Sequence, residues 1–260
     1  MLSRGDDASG RGMGHTTMST FGDSYSRLAA AQKGHARGAP AYSVYVNRRI
    51  GRVMAAAAHQ WGITPDGATG ISALHTFGAL VLLVVGPAQW WTGCLVALLL
   101  VLGYAWDSAD GQLARLRGGG SLAGEWLDHF VDAFKTASLH LCVLVALWWH
   151  TDLRDTLWLI VPLAYCVIAV VTFFGMLLND LLKGKKGVDS THARGGGTAL
   201  RSTILLPTDF GLLCLVFVLW GFPPAFLTVY TLLMIANGVF LAAAAVKWHR
   251  EIRALEVAAP

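Results

Sequence analysis

The stretch DSADGQLARLRGGGSLAGEWLDHFVD, from Asp107 to Asp132, places four aspartates, one glutamate and a run of glycines between two long apolar segments. Five of the sixteen acidic residues of the 260-residue chain fall inside it. A carboxylate set among apolar helical residues in a membrane is costly, so such a concentration persists where it has a use.

The segments on either side decide the fold class. The chain is 55% hydrophobic and only 14% charged, against roughly 25% charge in an ordinary soluble domain, and its mean hydropathy is +0.52. Apolar runs close to the ~20 residues needed to cross a bilayer as helix alternate with short polar or Gly/Pro breaks. This pattern predicts an all-α integral membrane protein with six transmembrane helices, near 68–86, 91–114, 124–147, 156–178, 210–220 and 224–246. The fifth is short and is expected to draw on 200–208. Trp90, Trp91, Trp148, Trp149 and Trp220 fall near span ends, where an aromatic belt places them, although bulky rings also fill cores.

Basic residues set the expected orientation. Arg48, Arg49 and Arg52 precede the first span, Arg115 and Arg117 follow the second, Lys183 to Arg201 follow the fourth, and Lys247, Arg250 and Arg253 end the chain. The opposite breaks contribute only Arg154. By the positive-inside rule the protein is a multi-pass protein of the cytoplasmic membrane, with both termini and the acidic stretch on the cytoplasmic side. Basic loops at an anionic leaflet account for the net charge of +4, so no nucleic-acid partner is needed. Cys94, Cys142, Cys166 and Cys214 lie singly inside spans and read as small apolar residues.

Outward from the spans, residues 1–40 are rich in Gly, Ser and Arg without apolar periodicity and are expected to be a disordered extension. Residues 41–63 carry Tyr42, Tyr45, Val46, Ile50, Val53 and Met54 at helical spacing beside arginines, the pattern of an amphipathic helix lying in the interface. Thr64 and Pro65 suit the cap and first turn of the first span. Residues 64–250 then form the membrane domain and 251–260 a cytoplasmic tail.

On a helix, Asp107, Asp110, Gly111 and Ala114 form one stripe, and Asp128 and Asp132 share a face of the next helix. The glycine-rich connection folds the second helix back on the first, so four carboxylates converge. Side by side they need a counter-charge, and an all-oxygen set favours Mg²⁺ or Mn²⁺, with enough ligands for two ions. Small residues at 111 and 114 leave room for a ligand, and Arg115 offers a fork to a phosphate oxygen. This chemistry points to phosphoryl transfer at the membrane surface.

The pattern Asp107-x2-Asp110-Gly111-x2-Ala114-Arg115-x8-Gly124-x3-Asp128-x3-Asp132 resembles the signature of the CDP-alcohol phosphotransferases at all eight fixed positions, and the likeness extends over about 44–246. The resemblance implies a transferase in which Asp107, Asp110, Asp128 and Asp132 hold the metal pair. It also implies that Asp132 is the general base, and that Gly111, Ala114, Arg115 and Gly124 line the CDP pocket. The implied reaction in phospholipid biosynthesis moves a phosphatidyl group from CDP-diacylglycerol to a small polar alcohol such as glycerol 3-phosphate, inositol phosphate or serine, releasing CMP. A soluble CDP-alcohol with a membrane-lipid acceptor is the alternative inside the family, and relatives are commonly homodimers.

Blander readings stand beside these. Gly111, Ala114 and Gly124 suit a close helix crossing, Arg117 reads as a topology charge, and Lys135, His129 and His140 have no assigned role. The Lys183 to Arg201 loop reads first as a positive-inside feature, with Arg194 or Arg201 the alternative candidate to meet an acceptor phosphate. A divalent-cation or proton-coupled transporter predicts acids at mid-membrane in repeated halves, whereas these acids lie beside one loop. A catalytically dead relative would keep the motif.

Overall fold

The computed structural model describes residues 20–31, 39–188 and 198–257, which are helical and contain no strand. The first membrane helix starts where the local chemistry says it should: the Thr64 side chain accepts a hydrogen bond from the Gly67 N–H at 3.0 Å, with Pro65 at the first position. After a short helix α1 (Phe21–Ala31) and the juxtamembrane α2 (Arg48–Gln60) come α3 (Pro65–Val85), α4 (Trp90–Leu116), α5 (Leu122–His150) and α6 (Ile160–Lys185). The chain continues through α7 (Ala199–Ile204) and α8 (Phe210–Val216) to α9 (Pro223–Val257).

Among the described residues five helices are long and apolar enough to cross a membrane: α3, α4, α5, α6 with its leading turn, and α9. The fifth expected span is different. α8 has 7 residues and a 3₁₀ continuation, Phe217–Gly221, adds 5, a rod of roughly 18 Å against a hydrocarbon core of about 30 Å. Its start is pinned by Asp209, whose carboxylate accepts from the backbone N–H of Gly211 at 2.9 Å and of Ser43 at 2.8 Å. At its far end Gly221 lies so close to the Trp90 backbone that a Cβ would collide with it. Phe217 and Trp220 are fully buried beside Gly93 of α4, a position where any Cβ would strike the Phe217 carbonyl. Among the described residues this segment is therefore a short element packed into the core and not a sixth long apolar helix.

The main core is formed where α3, α4, α5 and the α8 region meet α9. Leu83, Val96, Leu100, Val143 and Leu147 pack there with Trp220, Phe226 and Tyr230. Phe226 stands edge-on to Trp220 at 5.2 Å. A second cluster of Leu28, Ala55, Ala58, Ala68, Ala109, Leu113 and Leu116 lies around the acidic end of α4.

That second cluster brings a departure from the expected disorder of 1–40. Thr20 and Asp23 cap α1 reciprocally: Thr20 Oγ1 accepts from the Asp23 N–H at 3.2 Å and Asp23 Oδ2 accepts from the Thr20 N–H at 3.0 Å. Leu28 is buried in the cluster, and Arg52 stacks over Tyr25. Residues 1–19 and 32–38 of that stretch lie outside the described residues.

α2 shows two faces. Of the expected interfacial stripe, Tyr45 and Val46 in the turn before α2 and Ile50 and Val53 in it are exposed, but Met54 packs against the second cluster and Tyr42 lies against Gly211, while Gly51, Ala55 and Ala58 are buried. Gly51 sits against Ser108 and Gln112 of α4, where an added Cβ would come within 2.8 Å of Ser108 Oγ. α2 is thus docked on the helix that carries the acidic stripe.

Candidate active site

Helix α4 ends at Leu116 because the next residues turn it back: Gly118 and Gly119 adopt φ of 97° and 135°, a region that favours glycine. Ser121 then caps α5, accepting from the Gly124 N–H at 3.0 Å. Arg117 does more than carry charge at this turn. Its guanidinium donates to the carbonyls of Gly62 at 3.1 Å and Ile63 at 2.7 Å, tying the end of α4 to the α2–α3 connection.

The expected helix pair is spaced by a third helix. α3 lies against both α4 and α5, whereas the α4 and α5 backbones scarcely approach one another. The acidic side chains reach into the gap between them. Asp107, Asp110 and Asp128 each offer an oxygen, and these oxygens lie within 4.8 Å of one another. Asp110 is buried and held from α3, its Oδ2 accepting from Thr69 Oγ1 at 2.8 Å.

Asp132 stands apart from that trio. Its Oδ1 accepts from Lys135 Nζ at 3.1 Å, and the same ammonium donates to Asp107 Oδ1 at 2.6 Å and Ser72 Oγ at 3.0 Å. The four carboxylates expected as one cluster therefore divide into a trio and a lysine-bound partner, joined through Asp107. Beside them is a cavity of about 190 Å³ whose lining includes Asp107, Asp132 and Lys135 together with Tyr104, Phe173 and Phe210. A small group lodged there would meet Asp132 and Asp107 of the trio.

The small residues separate by what a side chain would meet. Gly111 is exposed, and a Cβ there would approach only Arg115 Nη1, at 3.8 Å. Among the described residues no neighbouring helix packs against it, which counts against the helix-crossing reading at this position. Ala114 is half-buried and Arg115 is exposed on the same α4 end. Gly124 is more confined, with Asp66 Oδ1 and Ser121 Oγ each 3.1 Å from where a Cβ would stand. Arg201 is an exposed residue of α7, and Arg194 lies outside the described residues.

Sequence reasoning missed Lys135, Thr69 and Ser72. Lys135 carried one legible signal, its position three residues after Asp132 on the same helical face. Thr69 and Ser72 carried none, since only the packing of α3 brings them to the acids.

The family profile for CDP-alcohol phosphatidyltransferase matches residues 63–248. The chain is 32% identical over 121 residues to the phosphatidylinositol phosphate synthase of Mycolicibacterium smegmatis (strain ATCC 700084 / mc(2)155), a match covering 46% of this chain and 51% of that protein. The chain thus spans about half the length of this relative. Two solved structures of the Mycobacterium tuberculosis phosphatidylinositol phosphate synthase are also similar. The complex with manganese and citrate has a TM-score of 0.49 at 21% identity, over 78% of this chain and 88% of that one. The form with CDP-DAG bound has a TM-score of 0.47 at 24% identity, over 76% and 90%.

Proposed function

The chain belongs to the CDP-alcohol phosphatidyltransferase family, and from that premise we propose that it transfers the phosphatidyl group of CDP-diacylglycerol to a small polar alcohol, releasing CMP. The observation that carries the proposal is the meeting of Asp107, Asp110 and Asp128 from two helices, beside the open Gly111 and next to a cavity that holds Asp132. Three carboxylates with no Cys or His in the set suit a hard divalent cation, Mg²⁺ or Mn²⁺. Asp107, Asp110 and Asp128 are the residues that would hold it, and when bound it supplies positive charge for the donor's pyrophosphate.

The chain's own residues account for the rest. Gly111 leaves the α4 backbone open to the nucleotide end of the donor, with Ala114 and Gly124 bordering it. Arg115 offers a planar fork to a phosphate oxygen. Asp132 accepts the proton of the acceptor hydroxyl as its oxygen bonds to the β-phosphorus; the bond from that phosphorus to the bridging oxygen breaks, and CMP leaves. A carboxylate serves as base here because the hydroxyl becomes more acidic as attack proceeds.

The name of the Mycolicibacterium smegmatis relative supports inositol phosphate first among acceptors. The five long apolar helices support a multi-pass membrane protein. The distribution of Lys and Arg supports the cytoplasmic membrane with the site and termini inside, the α8 region completing a sixth passage with the segment before it. The exposed stripe Tyr45, Val46, Ile50 and Val53 supports an interfacial seat for α2.

The test is CMP release by the purified protein in detergent with CDP-diacylglycerol, Mg²⁺ or Mn²⁺, and inositol phosphate, glycerol 3-phosphate or serine added singly. Release that requires one alcohol establishes the reaction and its acceptor. Release with none of them, together with turnover of a soluble CDP-alcohol, would transfer the proposal to that donor and a lipid acceptor.

A further inference from the structure

We propose that Arg48 of α2 is a second donor-binding arginine: with Arg115 it grips the pyrophosphate of the CDP-linked donor where Gly111 leaves the α4 backbone open. The inference rests on the transferase reading above and deepens it, since the sequence pattern gives Arg48 only the role of a positive charge on the cytoplasmic side.

The start of α2 is tied to the acidic turns of α4. Asn47 donates from Nδ2 to the Tyr104 carbonyl at 3.1 Å, and Gln112 donates from Nε2 to the Arg48 carbonyl at 3.2 Å and to the Ser108 carbonyl at 3.1 Å. These bonds fix Arg48 beside the stretch of α4 that carries Asp110 and Gly111. Arg115 reaches the same place along α4 itself: its Nη1 is the atom that a Cβ at Gly111 would meet, 3.8 Å away, so the side chain lies back toward that residue. Arg48 is half-buried, whereas the next residue, Arg49, is exposed and stands roughly 100° further round α2.

Two guanidinium groups set together call for an anion. Arg48 is near enough for its charge to act on Arg115, and an arginine does not relieve such repulsion by losing its proton. Among the described residues the ion pairs are made by Lys135, Lys183 and Lys247, and neither Arg48 nor Arg115 shares in one. Asp110 is the other charge felt at Arg115, but its two oxygens are engaged by Thr69 Oγ1 and the Gly111 N–H. Arg52, one turn further along α2, is taken up differently, its guanidinium lying 5.4 Å over the Tyr25 ring of α1. A pyrophosphate supplies what the remaining pair lacks, since its two phosphates offer oxygens enough for a planar fork on each.

The experiment measures the KM for CDP-diacylglycerol and the affinity for soluble CDP by calorimetry, in neutral detergent without anionic lipid and with Mg²⁺ or Mn²⁺ present. It is made on the full native chain, Arg48→Gln, Arg48→Lys and Arg49→Gln. Arg48→Gln is expected to raise the KM and weaken CDP binding by roughly 10–100-fold, the scale on which a hydrogen bond to a charged group is lost, with the melting temperature held. Arg48→Lys keeps the charge without the fork and should fall between, while Arg49→Gln should match the native protein. CDP affinity unchanged in Arg48→Gln, or weakened equally by Arg49→Gln, would overturn the inference and leave the transferase reading standing. So would an effect of Arg48→Gln that appears only when anionic lipid is added, which would give Arg48 to a membrane headgroup. Should Arg48→Gln not fold, native CDP affinity in Arg48→Lys would overturn the inference instead. Neither CMP release nor CDP binding by the native chain would overturn the transferase reading, and this one with it.

Discussion

Asp110 and Asp132 carry the same side chain and meet different surroundings. Asp110 is buried, braced by Thr69 and grouped with Asp107 and Asp128, whereas Asp132 faces the cavity with Lys135 on one oxygen. The two substitutions to asparagine are therefore expected to fail differently. Asp132→Asn lowers kcat by about 10²–10⁴-fold, the usual contribution of a positioned base, while binding of the CDP-linked donor, measured by calorimetry, is retained. Loss of donor binding on a similar scale would make Asp132 a ligand first. Gly111 gives a second separation at this scale. Alanine is favoured over glycine inside a helix by about 1 kcal/mol, and here a Cβ meets only Arg115. Gly111→Ala should hold or raise the melting temperature while raising the KM for the donor; a KM left unchanged would remove Gly111 from the nucleotide pocket.

Among the elements, the inserted α8 and its 3₁₀ continuation depend on one small residue of α4. Gly93 admits the Phe217 carbonyl and Trp220, so any larger residue there must push the segment away. Gly93→Leu is expected to destabilise the protein by roughly 1–3 kcal/mol, as overpacking of a dense core does. The same logic applies to α2, where Gly51 rests on Ser108 and Gln112. These two residues share α4 with Asp107 and Asp110, so displacing α2 disturbs the helix that bears half of the acids. Gly51→Val should lower turnover and thermal stability together. Full activity in a folded Gly51→Val protein would show that α2 docking is independent of the site.

At the scale of the whole molecule, the site is shared by three helices, and the charge that holds them apart or together is part of the architecture. Chelation with EDTA should stop CMP release, and Mg²⁺ or Mn²⁺ should restore it; activity undiminished in EDTA would contradict a metal held at Asp107, Asp110 and Asp128. Helix α5 has 29 residues, about 43 Å of rise, enough to separate its two ends across a bilayer. Single cysteines at Gly119 and Asp152, in a background without Cys94, Cys142, Cys166 and Cys214, should react with impermeant reagent from opposite sides of sealed vesicles. Position 119 is expected on the cytoplasmic side. Labelling of both positions from one side would overturn the orientation drawn from the arginines and lysines.

The sequence by itself determined the helical membrane class, the cap at Thr64, the glycine turn and the spacing of the acids. These are properties of near neighbours: hydropathy over one span, side-chain oxygens reaching backbone N–H groups three residues on, and stripes repeating every turn. The motif's eight positions were legible for the same reason, since they lie on two adjacent helices and their connection. Tertiary structure decided what no local pattern carries. Ser72 and Lys135 are 63 positions apart, and only the seating of α3 between α4 and α5 brings the hydroxyl to the ammonium. The division of four carboxylates into a trio and a lysine-bound partner follows from that seating. So does the short α8, which reads as a span from composition but is stopped by Asp209 and Gly221 and buried against Gly93. Contacts of this kind form only when distant segments fold onto one another, and they determine which acid is left facing the cavity.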